Sequence, residues 1–350
     1  MDTKRTHWAT FAFAISMIPI VVVAFVSFIY SPYLIFNAHL SKTLTPLTVG
    51  HGIILFALFP FEIPVNISLG ALFVSLWTIY VIIFAIGLNG PYKSITCALR
   101  QTAKEGVDAI FQNSMLAVFV TFSPLFWLTY LITEVESIGG IHTGSISQVN
   151  SFLLLLELTI APLREEIGFR VVPIGVVALL ILFSRKRYKD GILALWHPSR
   201  YLKKNDTPDR YKTDLKPIAA AVILSSLIFG SEHYLLGGWG PGKILSASVA
   251  GFALAFLYYE LGLPASILLH LAFDFFLVVY YIGGESQVYN YVTMATMVLA
   301  IPGAIACLIF VRRKYAYFKL LGRNVSHPVS ARAEGTPSLP AIPKPLTGLD

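Results

Sequence analysis

Eight stretches of this chain are apolar over about the length a helix needs to cross a bilayer. No other feature restricts the fold as tightly. A hydrocarbon core about 30 Å thick takes about 20 residues of helix, and backbone groups within it must find their hydrogen-bond partners inside the protein. The runs lie near 8–30, 67–88, 115–133, 151–184, 217–236, 244–260, 263–282 and 291–312. They predict an all-α polytopic membrane protein with about eight transmembrane helices. Composition agrees: of 350 residues, 56% are hydrophobic and 13% charged, with a mean hydropathy of +0.70, whereas soluble domains are about 45–50% apolar.

Lysine and arginine accumulate in loops that stay on the cytoplasmic side. Lys4 and Arg5 precede the first run; Lys93, Arg100 and Lys104 follow the second; the segment 185–216 is the most basic; and Arg312, Arg313 and Lys314 follow the last. The loops 134–150 and 283–290 contain neither residue, and the first outer loop has only Lys42. Eight spans in the cell membrane, with both termini cytoplasmic, fit this distribution. The first run is long and lacks a small-x-small cleavage site, so it reads as a retained helix rather than a signal peptide. The run 51–60 is too short to cross and ends in Pro60 and Pro64, which suggests a re-entrant or interfacial segment. The run 151–184 is too long for one perpendicular helix, and Pro162, Gly168 and Pro173 predict a kink. Two crossings there would put the most basic loop outside, so one bent or tilted crossing is preferred.

Three regions follow from this reading. Residues 1–150 form an N-terminal three-helix membrane region, residues 151–312 a membrane core, and residues 313–350 a cytoplasmic tail, basic and then proline-rich and disordered. The formal charge of +7 and pI of about 9.3 arise from residues between spans, not from one patch with interleaved aromatics, and so do not indicate nucleic acid. Cys97 and Cys307 lie far apart and suggest neither a disulfide framework nor a thiolate metal site.

Against this background a few ionisable residues stand out, because charge at membrane depth persists mainly where groups face one another or water. The first cluster reads Arg164-Glu165-Glu166-Ile167-Gly168-Phe169-Arg170. On a helix Glu166 and Arg170 are four apart and can pair, while Glu165 points about 100° away. One glutamate can be neutralised while its neighbour stays free to act. His233 ends the fifth run, and His270 and Asp274, four apart, share one face of the seventh. Taken singly, each of these reads as readily as an interfacial or satisfied structural group.

Together, EExxxR on one span, FxxxH on the next and HxxxD two spans later resemble the three motifs of the CAAX protease and bacteriocin-processing family of intramembrane endopeptidases, which includes the type 2 CAAX prenyl endopeptidases. The resemblance covers residues 160–282, and Pro264 and the turn Gly237-Gly238-Trp239-Gly240 are also similar to that family. It implies an eight-helix fold around an intramembrane polar chamber, and hydrolysis of a peptide bond near the membrane surface. By position, Glu165 would be the general base that activates water, assisted by His233. Glu166 and Arg170 would support and orient that pair, and His270 with Asp274 would stabilise the oxyanion. Position 274 is often Asn in the family, and an ionised Asp can only accept a hydrogen bond.

Glu165, Glu166, His233, His270 and Asp274 are also a plausible donor set for zinc or another divalent cation. No HExxH is present, which favours a metal-free mechanism. The implied partners are the bilayer and a peptide or prenylated protein substrate. Two other classes use the same residues: a proton- or cation-coupled transporter, and a non-catalytic peptide-binding immunity protein of the same fold. Depth raises a further condition. At 1.5 Å per residue, His270 lies about 10 Å and His233 about 24 Å above the inner ends of their spans. They meet only if the fifth helix begins well inside the cytoplasm or the seventh begins deeper in the membrane.

Overall fold

The computed structural model describes residues 3–37, 42, 45–56, 59–144, 151–204 and 207–325. In chain order the helices are α1 (Thr3–Asn37), α2 (Leu69–Asn89), α3 (Ile95–Glu105), α4 (Ser114–Ile138), α5 (Ser151–Glu166), α6 (Val176–Ser184), α7 (Tyr188–Ala194), α8 (Pro198–Lys203), α9 (Pro208–Leu235), α10 (Lys243–Leu261), α11 (Leu263–Phe275), α12 (Val278–Ile282), α13 (Ser286–Leu299) and α14 (Ile301–Val325). Seven described helices or helix combinations are long and apolar enough to cross a membrane. An eighth span is supplied if α13 and the start of α14, bent by 40° with respect to each other, count as one. The bend falls at Ala300, just ahead of Pro302, whose ring suits a helix start and disrupts an interior. The protein is therefore a multi-pass, all-α membrane protein.

The long fourth run crosses once, as Leu153–Ser184. Its middle, Ile167–Gly175, is π-helical and joins α5 to α6. Pro173 lies within it and has no N–H to donate to the carbonyl of Gly168, its π-helical partner five residues earlier. The Phe169 carbonyl accepts from the Arg170 guanidinium at 3.1 Å and from the Ser225 hydroxyl on α9. That carbonyl thus ties Arg170 to the neighbouring helix.

The apolar run 51–60 is, in its described part, strand rather than helix. Thr48–Phe56 (β1) pairs antiparallel with Phe59–Ser68 (β2), with Ile54 opposite Phe61 and Gly52 opposite Ile63. Pro60 and Pro64 exclude a helix, and the alternation of Phe61, Ile63, Val65 and Ile67 with Pro60, Glu62, Pro64 and Asn66 has the period of a strand. The overlooked signal was period two across a segment judged only by its length.

α10 and α11 are the most enclosed spans, packed against α4, α5 and α9. Between α9 and α10 the approach is close. A Cβ on Gly230 would lie 2.0 Å from Ser248 Oγ and 2.4 Å from the Ile244 carbonyl, so only glycine lets these helices cross here. The basic segment after α6 is fastened to the far end of α10. His197 Nε2 lies 2.8 Å from the Glu260 carbonyl and 3.2 Å from the Tyr92 hydroxyl, and Lys203 pairs with the Glu260 carboxylate at 2.9 Å. Burial pulls the His197 pKa down to about 4, so the ring is held neutral. Around the bundle, Val22, Phe25, Leu128, Leu180, Leu224 and other large apolar side chains are exposed, the surface expected of a lipid-facing wall.

The chain divides into Met1–Phe310 and Val311–Asp350. The described residues of the second unit continue α14 to Val325, and the proline-rich stretch expected to be disordered lies, from residue 326 onward, outside the described residues.

Candidate active site

α5 presents two consecutive glutamates to a single histidine ring on α11. Glu166 Oε1 lies 2.8 Å from His270 Nδ1, and Glu165 Oε2 lies 3.6 Å from His270 Nε2. Adjacent residues on a helix diverge by about 100°, but the ring is inserted between their diverging carboxylates and offers one nitrogen to each. The expected division of labour takes this form: Glu166 is fully buried and committed, and Glu165 has looser contacts.

The commitments of Glu166 are many. Its Oε2 faces Arg170 Nε at 3.4 Å and contacts the Ser266 hydroxyl. Ser266 also lies 2.9 Å from the Leu254 carbonyl of α10. Arg170 is fully buried, reaches Ser225 Oγ at 3.2 Å and has its guanidinium 4.6 Å from the centroid of the Phe229 ring. Glu166, Arg170, Ser225, Ser266 and Phe229 therefore link four helical segments around the ring of His270. Glu165, by contrast, is 3.5 Å from Arg164 Nη2 and otherwise meets only the Nε2 side of His270.

Asp274 stands one turn beyond His270, its Oδ2 3.7 Å from His270 Nε2. That oxygen is buried and has no hydrogen-bond partner among the described residues. His233 and His270 do meet at the same level. Both rings stand edge-on to Phe229, with centroids 4.7 Å and 5.8 Å from it. α9 begins at Pro208, well ahead of the expected residue 217, so the helix is longer on that side than its apolar run. His233 Nδ1 is 2.8 Å from the Phe229 carbonyl, so it is Nε2 that this backbone contact leaves unengaged.

His233, His270 and Asp274 line a cavity of about 390 Å³ bounded by α4, α9, α10, α11 and α13. Glu165 is not among the residues lining it, and adjoins it through His270. Lys243 lines this cavity too, and was not singled out in the sequence. The available signal was a lysine opening an apolar span directly after a glycine-rich turn. Ser266 was also overlooked, although it lies four residues before His270, as Asp274 lies four after, and so falls on the same helical face.

Among the described residues no group of three His, Cys, Asp or Glu side chains is placed to hold a metal ion. Glu166 and His270 Nδ1 are already engaged with each other.

Residues 147–276 match the family described as Type II CAAX prenyl endopeptidase Rce1-like. No curated protein and no solved structure matches the chain. The matched segment contains the EExxxR, FxxxH and HxxxD motifs; the cavity residues of α4 and Leu277, Val278, Tyr289 and Thr293 lie outside it. Over residues 147–276, less than half of the chain, the sequence is thus similar to the Type II CAAX prenyl endopeptidase Rce1-like family.

Proposed function

We propose that the chain hydrolyses a peptide bond of a membrane-associated or lipid-modified protein by means of a water activated by Glu165. The observation that carries this reading is the placement of the His270 ring, held at Nδ1 by Glu166 and open at Nε2 toward Glu165 and Asp274. Glu165, assisted by His233 Nε2, takes a proton from water as the water oxygen bonds to the scissile carbonyl carbon. As an imidazolium, His270 donates Nδ1–H to Glu166 and Nε2–H to the developing oxyanion. Asp274, when protonated, is a second donor to that oxygen. The proton held by Glu165 passes to the leaving nitrogen as the C–N bond breaks, giving a carboxylate and an amine. Enclosure between membrane spans strengthens each of these contacts relative to bulk water.

The distribution of lysine and arginine supports placing both termini in the cytoplasm. The test uses purified full-length protein in detergent and N-terminal sequencing of cleaved membrane proteins. Time-dependent cleavage that disappears in Glu165→Gln and His233→Ala supports the reading. Proton-coupled uptake into liposomes without cleavage favours a transporter. Loss of cleavage on chelation, restored by a defined divalent ion, replaces the glutamate mechanism with a metal-assisted one.

A further inference from the structure

The β1–β2 hairpin is closed to a further strand along one edge and open along the other. Its sheet has two strands, so among the described residues each has an outer edge without a strand neighbour. In the register, Pro60 stands opposite Leu55 and Pro64 opposite His51. Backbone N–H groups alternate between the two edges of a strand, so residues 60, 62 and 64 direct theirs to the same edge. Neither proline has an N–H to give to β1, and both fit the outward-facing positions, where a proline costs no ladder bond. The outer edge of β2 is thereby blunted, as sheets commonly are against unwanted pairing. β1 contains no proline over Thr48–Phe56, and the same register turns the N–H groups of His51, Ile53 and Leu55 outward.

The open edge belongs to the strand nearer the glutamates. β1 packs against α5 and Ile167–Gly175, which between them carry Glu165, Glu166 and Arg170, whereas β2 packs against α2. Ile167–Gly175 is the middle of the span Leu153–Ser184, a depth at which a strand edge has no water to satisfy it unless it is covered or lines a cavity. A peptide bond to be hydrolysed has the complementary need. Its segment must leave the helix, whose own hydrogen bonds occupy its backbone, and once extended it presents a row of unpaired N–H and C=O groups. Resting on the endopeptidase reading, we propose that the substrate binds as an extended strand added to the outer edge of β1, through main-chain hydrogen bonds with His51, Ile53 and Leu55. The hairpin then sets the register of the peptide beside the segment that carries Glu165. Recognition through the main chain also admits varied side chains around the cut.

The experiment follows cleavage of one substrate peptide by the purified full-length protein in detergent, with the backbone amides of the peptide N-methylated one at a time. Loss of a cross-strand donor is expected to raise KM about three- to tenfold, the range for one hydrogen bond, at alternate positions along the peptide and not at those between. In the protein, Ile53→Pro and Glu62→Pro remove the N–H from two facing residues, on the open and the blunted edge respectively. Ile53→Pro should raise KM for the unmodified peptide by a similar factor and weaken the alternation, and Glu62→Pro should leave both unchanged. Absence of a period-two pattern with the unaltered protein overturns the inference, as does a pattern that Ile53→Pro leaves intact. Cleavage of no peptide, with no processed protein in the membrane, overturns the endopeptidase reading on which it rests.

Discussion

Glu166 Oε1 and His270 Nδ1 lie 2.8 Å apart across 104 residues of sequence. This contact fixes the face of the imidazole that α11 turns toward Glu165. It also makes Glu166 a joint between chemistry and stability, since the same carboxylate neutralises the fully buried Arg170.

Removing Glu166 alone should therefore be worse than removing the pair. Glu166→Ala leaves a buried guanidinium without its counter-charge, a loss of about 3–5 kcal/mol for such pairs, whereas Glu166→Leu combined with Arg170→Met removes both charges and should recover much of it. Thermal unfolding in detergent measures both. Equal destabilisation by the single and double variants would contradict the pairing.

Glu165 has no comparable structural commitments. Glu165→Gln should reduce kcat by about 10²–10⁴-fold, the usual contribution of a positioned base, while the unfolding temperature moves by no more than a few degrees. A large loss of stability with partial activity would reassign Glu165 to a structural role.

Asp274 offers a buried Oδ2 with no hydrogen-bond partner among the described residues. If it serves as an oxyanion donor, Asp274→Asn keeps a donor at that position and should retain activity within about tenfold. Asp274→Ala removes it and should cost about 10²–10³-fold in kcat, as for other oxyanion donors. Steady-state kinetics on the cleaved peptide separates the two. Greater damage from Asn than from Ala would show that a negative charge is needed instead.

His197 gives the fold a dependence on acidity at a distance from the catalytic residues. Burial lowers its pKa to about 4 in the folded protein, against about 6.5 when unfolded. The unfolded chain binds the extra proton first, so this contribution is complete above about pH 6.5 and is lost as the pH falls toward 4. Thermal unfolding between pH 7.5 and 5 should fall more steeply for the native chain than for His197→Gln. Parallel curves would refute the assignment.

The spans and their number were legible because about 20 apolar residues admit few alternatives to a crossing helix. The single long span within 151–184 was also legible, and Pro173 falls in the stretch where the α-helix gives way to a π-helix, whereas Pro162 is accommodated inside α5. The meeting of His233 with His270 was not, because the start of α9 lies in the polar stretch before its apolar run, where hydropathy says nothing. The hairpin 48–68 escaped for a related reason: its apolar residues were counted and their alternation was not. Around the site, motif spacing identified Glu165, Glu166, Arg170, His233, His270 and Asp274. Ser225, Ser266 and Lys243 were hidden because a serine or a lysine beside a span is unremarkable until tertiary packing supplies its neighbour.

The π-helical stretch between Glu166 and Arg170 also has a consequence for how this chain can vary. A wide turn holds roughly one residue more than an α-turn, so deleting one of the three residues between Glu166 and Arg170 is sterically easy for the backbone. The deletion would rotate all that follows by about 100° relative to Glu166, taking the guanidinium of Arg170 off the carboxylate. The spacing of these two residues is thus as much a part of the site as their identities.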